Sequence, residues 1–163
     1  HWDYDVKNFG YNYRLSDINC ALGISQLKKI NLFLNKRKKI YIHYKAQLDG
    51  FKNILSFPKY NKLNSPAYHL VIINIKFKDL NSKDKFIHHL LKKKIIVQFH
   101  YKPINHFSVY KEKSNKLPYA MSYYRSSLSI PIYHSISEKE VKHTVQTIKN
   151  YIIKNYNLFS NNH

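Results

Sequence analysis

"YHLVIINIKF", Tyr68 to Phe77, is the stretch on which the fold turns. It is apolar, rich in β-branched residues and short, which reads as a buried strand. Before it lies a linker, residues 51–66, with Pro58 and Pro66. After it comes "KDKFIHHLLKKK" (83–94), where Phe86, Ile87, Leu90 and Leu91 fall at helical spacing behind a Ser82 cap. Further on, "IIVQF" (95–99) reads as a second strand, "HYKPINHF" (100–107) as a loop and 117–126 as a helix opened by Leu117-Pro118. "LSIPI" (128–132) reads as a third strand. Ser137 and Glu140 make a capping box that opens a last helix, with Val141, Val145, Ile148 and Ile152 inward. Toward the N-terminus, Ser16 is an N-cap, and Asp17 sits in the first turn where the helix dipole favours a carboxylate. Ile18, Ala21, Leu22, Leu27, Ile30 and Leu34 hold one apolar phase, and Phe33, Arg37, Ile40, Tyr44 and Leu48 a second. Residues 16–48 therefore hold one long helix, or two joined near 29–31, stopped by Asp49-Gly50. The order is helix, helix, then β-α-β-α-β-α: an α/β class with a sheet of about three strands.

The chain has 163 residues and a formal net charge of +19, which raises nucleic acid or an anionic surface as a partner. The cations are nearly all lysine; Arg14, Arg37 and Arg125 are the only arginines. Specific readers of nucleic acid favour arginine for its bidentate fork. The run "NKRKK" (35–39) reads as a solvated helix face, although a stand-alone lysine-rich module binding RNA or another anion stays open as the alternative. Cys20 is alone, so neither a disulfide framework nor a thiolate metal site is expected. The adjacent histidines at 88 and 89 point in different directions on a helix and make a poor chelate. No apolar run is long enough to span a bilayer, and the first residues lack a signal-peptide pattern. A cytoplasmic protein with no membrane partner is the expectation. The first residue is His1 rather than Met, which suggests a fragment or a processed product.

No phosphate-binding glycine loop, nucleophile elbow or zinc-protease motif is present, and the chain has only three glycines. Two clusters remain. Tyr11-Asn12-Tyr13-Arg14 stands just before the Ser16 cap; an amide and a guanidinium at a helix entrance suit a phosphate. The alternative is that Arg14 braces a loop and the tyrosines pack. His100-Tyr101-Lys102-Pro103 follows the second strand, and ligands of α/β units often sit at strand ends. The alternative there is a plain turn with a buried tyrosine.

"GYNYRLSDINCALGISQLKKI" (10–30) resembles the segment after the cofactor-lysine region of the DegT/DnrJ/StrS sugar-nucleotide aminotransferases. The likeness continues through "FLNKRKKIYIHY", "AYHLVIINI", "VQFHYKPI" and "LPYAMSYYRSSLSIPIYHSISEKEVKHTVQTI", in order and over essentially the whole chain. "HYKPI" resembles the branch that makes a UDP-linked 4-amino-4,6-dideoxy sugar on the way to pseudaminic acid. The resemblance implies the C-terminal segment of a fold-type-I enzyme that uses pyridoxal 5′-phosphate (PLP). Residues 1–50 would end the large domain and carry the cofactor loop and linking helix. Residues 67–157 would form the small α/β domain, and 158–163 a disordered tail. It implies a homodimer that moves an amino group from glutamate to a UDP-linked 4-keto sugar. Asn12 would touch the PLP phosphate across the dimer, and His100 and Tyr101 would face the sugar substrate. The lysine that forms the Schiff base lies in the family before the matched segment, so no catalytic residue is assigned here, nor any metal ligand. Without that lysine, the isolated chain is expected to be inactive. Two positions depart from the family pattern: Lys94 stands where a glycine is usual, and Asn105 where a histidine is common.

Overall fold

In a computed structural model, which describes residues 5–61, 63–110 and 117–159, two helices lead the chain in. They are α1 (Asp17–Leu27) and α2 (Ile30–Leu48), so the sequence between Ser16 and Leu48 breaks at Lys28-Lys29. Ser16 caps α1 as expected, its hydroxyl accepting from the Asn19 N–H. The apolar phase of α1 is present, but none of its residues is buried. Helix α2 turns inward only in its second half, where Ile40, Tyr41, Tyr44 and Leu48 enter the core.

The sheet has three strands, β1 (Leu55–Ser56), β2 (Val71–Ile75) and β3 (Ser127–Ile130), in that spatial order and antiparallel throughout. Leu55 lies opposite Ile75, and Val71 and Ile73 lie opposite Ile130 and Leu128. Between β2 and β3 the chain forms α3 (Leu80–Lys92) and α4 (Pro118–Ser126); α5 (Glu138–Lys154) closes the unit. Val71, Ile73, Ile75, Leu128 and Ile130 share one core with Phe86, Ile87 and Leu90 of α3 and Val145, Ile148 and Ile152 of α5. Tyr44 ties α2 to this body. It is fully buried, and its hydroxyl donates to the Pro131 carbonyl at 3.0 Å.

The structure corrects the sequence reading at several places. The expected strand 95–99 keeps the alternation, with Ile95, Val97 and Phe99 buried and Ile96 exposed, yet it pairs with β3 only through Gln98 and Ser129. The third strand comes instead from inside the linker, where Ile54 and Leu55 are buried. Alternation reports burial; it does not say which backbone fills a ladder. Helix α3 is capped by Asp79, not Ser82: the carboxylate accepts from both the Ser82 N–H and its hydroxyl, each at 2.7 Å. On its inner face Lys83 is buried, while Leu91 is exposed. Of the segment read as a tail, Phe159 is buried, bridges Phe77 and meets the Tyr151 ring edge to face; residues 160–163 lie outside the described residues. The capping box at Ser137 and Glu140 is present as read.

Lys94, which takes the place of the usual glycine, has φ +61°. Its N–H donates to the Leu91 carbonyl and the Ile95 N–H to the Leu90 carbonyl, each at 2.9 Å. This is a complete Schellman stop in which a lysine carries the left-handed residue. A Cβ costs about 1 kcal/mol there. Lys94→Gly should therefore raise unfolding stability by about 0.5–1 kcal/mol, read from the denaturation midpoint at unchanged slope.

Lys83 donates from Nζ to the Tyr124 carbonyl at 2.6 Å and lies over the rings of Phe99 and Tyr124. Burial, partly offset by Asp84, pushes its ammonium down to about 8 from an ordinary 10.5. Between those values the unfolded chain holds a proton that the folded chain has released, so stability rises with pH; below about 8 the penalty is fully present. Burial holds Tyr41 and Tyr44 up to about 12, so their opposing contribution begins only above the ordinary tyrosine value of 10.0. Denaturant melts of the chain across alkaline pH should show that rise, and Lys83→Met should flatten it.

Candidate functional site

The first cluster lies on an extended segment that leads to the Ser16 cap. Tyr11, Asn12, Tyr13 and Arg14 are all exposed, and Asn12 has no hydrogen-bond partner among the described residues. The tyrosines do not pack among the described residues: Tyr11 is 87% and Tyr13 86% exposed. What the segment presents is an unspent amide, a guanidinium and, just behind them, the start of α1, where Ser16 caps the Asn19 N–H and Asp17 stands in the first turn.

The second cluster follows Phe99. His100 is half-buried and Tyr101 mostly exposed, and their rings meet edge to face at 4.7 Å. His100 Nε2 lies 3.0 Å from Ser129 Oγ, and the Ser129 hydroxyl donates to the Gln98 carbonyl at 3.3 Å. His100 Nδ1 is buried with no hydrogen-bond partner. Burial, with a smaller contribution from His69, holds the imidazole below its ordinary value and so favours the neutral ring. The reasoning from strand ends presumes parallel strands, but here the strand-like segment runs antiparallel to β3. His100 is placed by one bridge and one serine.

The segments that carry the two clusters are clasped together. Asp5 accepts from the Ser108 N–H at 2.8 Å and from the Ser108 hydroxyl, and the Val109 N–H donates to the Val6 carbonyl at 3.1 Å. Phe9 meets Tyr110 edge to face. The hydroxyl and N–H of Ser108 hold the Asp5 carboxyl below its ordinary value, and Lys102 adds to the effect. The loop after His100 is thus anchored to the segment that leads to Asn12.

Beside Ser129 runs a groove of about 330 Å³, with His69, Gln98, Tyr133, Glu140 and His143 in its wall. Much of that wall is spent on the fold. Glu140 accepts from Tyr133 and from the Ser137 cap, which lowers its own carboxyl and raises the Tyr133 phenol. His143 Nε2 lies 3.0 Å from the Lys93 carbonyl. His69 lies 3.5 Å from the Arg37 guanidinium. Among the described residues there is no group of three or more His, Cys, Asp or Glu able to hold a metal, and no helix long and apolar enough to cross a membrane. Sequence reasoning missed Ser129, Gln98 and Asp5. The alternation in "LSIPI" could have set Ser129 off from the core face, but nothing local marks Asp5 as a partner of Ser108.

The sequence model of the DegT/DnrJ/EryC1/StrS aminotransferase family matches residues 2–149. A UDP-4-amino-4,6-dideoxy-N-acetyl-beta-L-altrosamine transaminase from Campylobacter jejuni is 37% identical over 152 residues, covering 90% of this chain and 39% of the relative. Among solved structures, Helicobacter pylori PseC, an aminotransferase involved in pseudaminic acid biosynthesis, is 26% identical with a TM-score of 0.72, covering 92% of this chain and 41% of that one. Spr1654 of Streptococcus pneumoniae, in its PLP-form, is 25% identical with a TM-score of 0.78, covering 94% and 40%. The chain spans about two-fifths of the length of the curated relatives it matches.

The Asp5 clasp is testable on the chain itself. With its carboxyl held low, the clasp is fully formed above the ordinary aspartate value of 3.8 and is lost as pH falls through the lowered one. Asp5→Ala should free it at neutral pH. Hydrogen exchange at the Ser108 and Val109 amides should accelerate, while that of the β2 and β3 amides stays unchanged.

Proposed function

The chain belongs to the DegT/DnrJ/EryC1/StrS aminotransferase family, and on that premise we propose that it is the C-terminal part of a PLP-dependent sugar-nucleotide aminotransferase. The full enzyme would pass an amino group from glutamate to a UDP-linked 4-keto-6-deoxy amino sugar, in a pathway of the pseudaminic acid kind. The observation that carries this is the 37% identity to the altrosamine transaminase across nine-tenths of the chain. Matches along 2–149 to aminotransferases give no support to the alternative of a stand-alone anion-binding module.

The residues present fit the cofactor. The unspent Asn12 amide and the Arg14 guanidinium, both exposed on the segment that enters α1, are donor types suited to a phosphate. When bound, PLP supplies the electron sink for the transfer. Asn12 would hold the phosphate of a site lying mainly in the neighbouring subunit of a homodimer. His100 and Tyr101 would flank the sugar. The lysine that moves the proton would come from a segment outside this chain. The bare apolar face of α1, with Ile18, Leu22 and Leu27 exposed, and the exposed Ile30 at the start of α2 support further polypeptide packing there.

The experiment is a chimera in which this chain replaces the matching C-terminal part of the Campylobacter jejuni relative. The chimera should transaminate a UDP-4-keto sugar, whereas the 163-residue chain with PLP and glutamate should not. Asn12→Ala should weaken PLP binding about 10- to 100-fold, the loss of one hydrogen bond to a charged group. Mixed dimers of an Asn12→Ala subunit with a subunit lacking the cofactor lysine should regain partial activity, because each such dimer keeps one intact site. His100→Ala should spare PLP affinity and lower turnover. Mixed dimers that stay inactive while the parent chimera works would refute the cross-subunit role of Asn12. Turnover by the isolated chain would refute the division between this part and the rest.

A further inference from the structure

The two nitrogens of His100 both point into the protein. Nε2 faces the Ser129 hydroxyl at 3.0 Å, and Nδ1 is enclosed without a partner. Two hydrogen-bond arrangements are available. If the proton sits on Nε2, it is donated to Ser129 Oγ, and the Ser129 hydroxyl is free to donate to the Gln98 carbonyl. Both bonds form, and the enclosed Nδ1 is a bare lone pair. If the proton sits on Nδ1, a buried N–H is left without an acceptor. The serine hydroxyl must then choose between Nε2 and Gln98, so one bond forms instead of two. An unmet buried donor and a lost bond each carry a cost, so the first arrangement wins. Ser129 is itself fixed: it lies on β3 at 5% exposure, and its backbone exchanges both hydrogen bonds with Gln98, at 2.8 and 3.2 Å. The bridge that ends the sheet is therefore also the device that sets the imidazole.

We propose that Ser129 is a positioning residue that locks His100 as the Nε2–H tautomer with both nitrogens turned inward, so that His100 meets the sugar as a ring wall beside Tyr101 and does not carry a proton in the reaction. The second half rests on the reading of His100 as substrate-facing; the first half does not. The exposed Tyr101 ring, set edge to face against His100, extends the same surface. Burial of the imidazole and its proximity to His69 act in the same direction by favouring the neutral ring.

The first half is tested on the chain as it stands. Two-bond proton–nitrogen correlation spectra of the histidine-labelled protein near neutral pH distinguish a protonated from a bare ring nitrogen. The His100 signals are those missing from the His100→Gln spectrum. The wild type should show one tautomer, with Nε2 protonated and Nδ1 bare. Ser129→Ala should give averaged signals, and Ser129→Thr, which keeps the hydroxyl, should restore the single form. A protonated Nδ1 in the wild type overturns the proposal without any variant, and so does an unchanged spectrum in a folded Ser129→Ala.

The second half is read in the chimera. His100→Phe, a ring without nitrogens, should lower turnover less than His100→Ala does and leave the shape of the pH profile as in the parent chimera, whereas loss of a general acid or base costs roughly 10²–10⁴. A fall of that size in His100→Phe overturns the wall role. If both His100→Ala and His100→Phe leave turnover untouched, His100 does not face the substrate, while the tautomer lock set by Ser129 stands or falls on its own spectra.

Discussion

The seat of Tyr44 is the constraint on which the arrangement of the two clusters depends. Its ring is fully buried and its hydroxyl is spent on the Pro131 carbonyl, just past β3. A buried aromatic ring is worth several times the roughly 1 kcal/mol net of its hydrogen bond. The ring therefore supplies the energy, and the hydroxyl fixes the angle. Because α2 is one continuous helix through Ile30, fixing its second half fixes the direction of its first. Phe33 against His134, at 4.6 Å between rings, carries that hold about three turns further out. Beyond it, no residue of α1 is buried and Asn12 is exposed, and the Asp5 clasp ties the segment before Asn12 back to the body.

Much of this was legible in the sequence, and the reasons for the rest are physical. The helical character of 16–48, left open as one helix or two, the last helix and the caps at Ser16 and Ser137 were legible because periodicity and capping are local properties of the chain. β2 was visible for the same reason. β1 was not: two residues cannot display a period of two, and its pairing with Ile75 is decided by the fold. The cap of α3 was misplaced because Asp79 and Ser82 are both good capping residues. Only the structure shows the carboxylate taking the serine as its ligand. Lys83 is the sharpest failure of pattern reading. A lysine at a core position breaks binary patterning, and it sits there because its amine reaches the Tyr124 carbonyl and two aromatic faces.

For the site, residue chemistry pointed to the clusters at 11–14 and 100–103, the family resemblance singled out Asn12, His100 and Tyr101 within them, and the structure supplies their surroundings. Asn12 is unspent, whereas most of the polar residues in the groove wall are consumed by caps and bridges. That contrast separates a group held in reserve from one already paid out to the fold. Lys94 carries a related lesson. Replacing the usual glycine did not remove the left-handed stop of α3; the stop persists and a lysine bears its strain.

The antiparallel pairing of β2 with β3 has a consequence for how the chain reaches this state. β1 and β2 are near neighbours in sequence, but the partners Val71 and Ile130 are separated by α3, the loop after His100 and α4. Closing so long a loop costs entropy before any contact repays it, so the β1–β2 pair can assemble early and β3 must arrive late. Until then β2 offers Val71, Ile73 and Ile75 along an open strand edge, the kind of edge that recruits other chains. During synthesis that edge is exposed from the emergence of β2 until residues 127–130 leave the ribosome. The interval is bounded by α4, whose last residue, Ser126, hands the chain directly to β3. Rapid formation of α3 and α4, both local structures, shortens the distance that the late strand must search. In this chain the helices between the strands act as folding spacers as well as walls of the core.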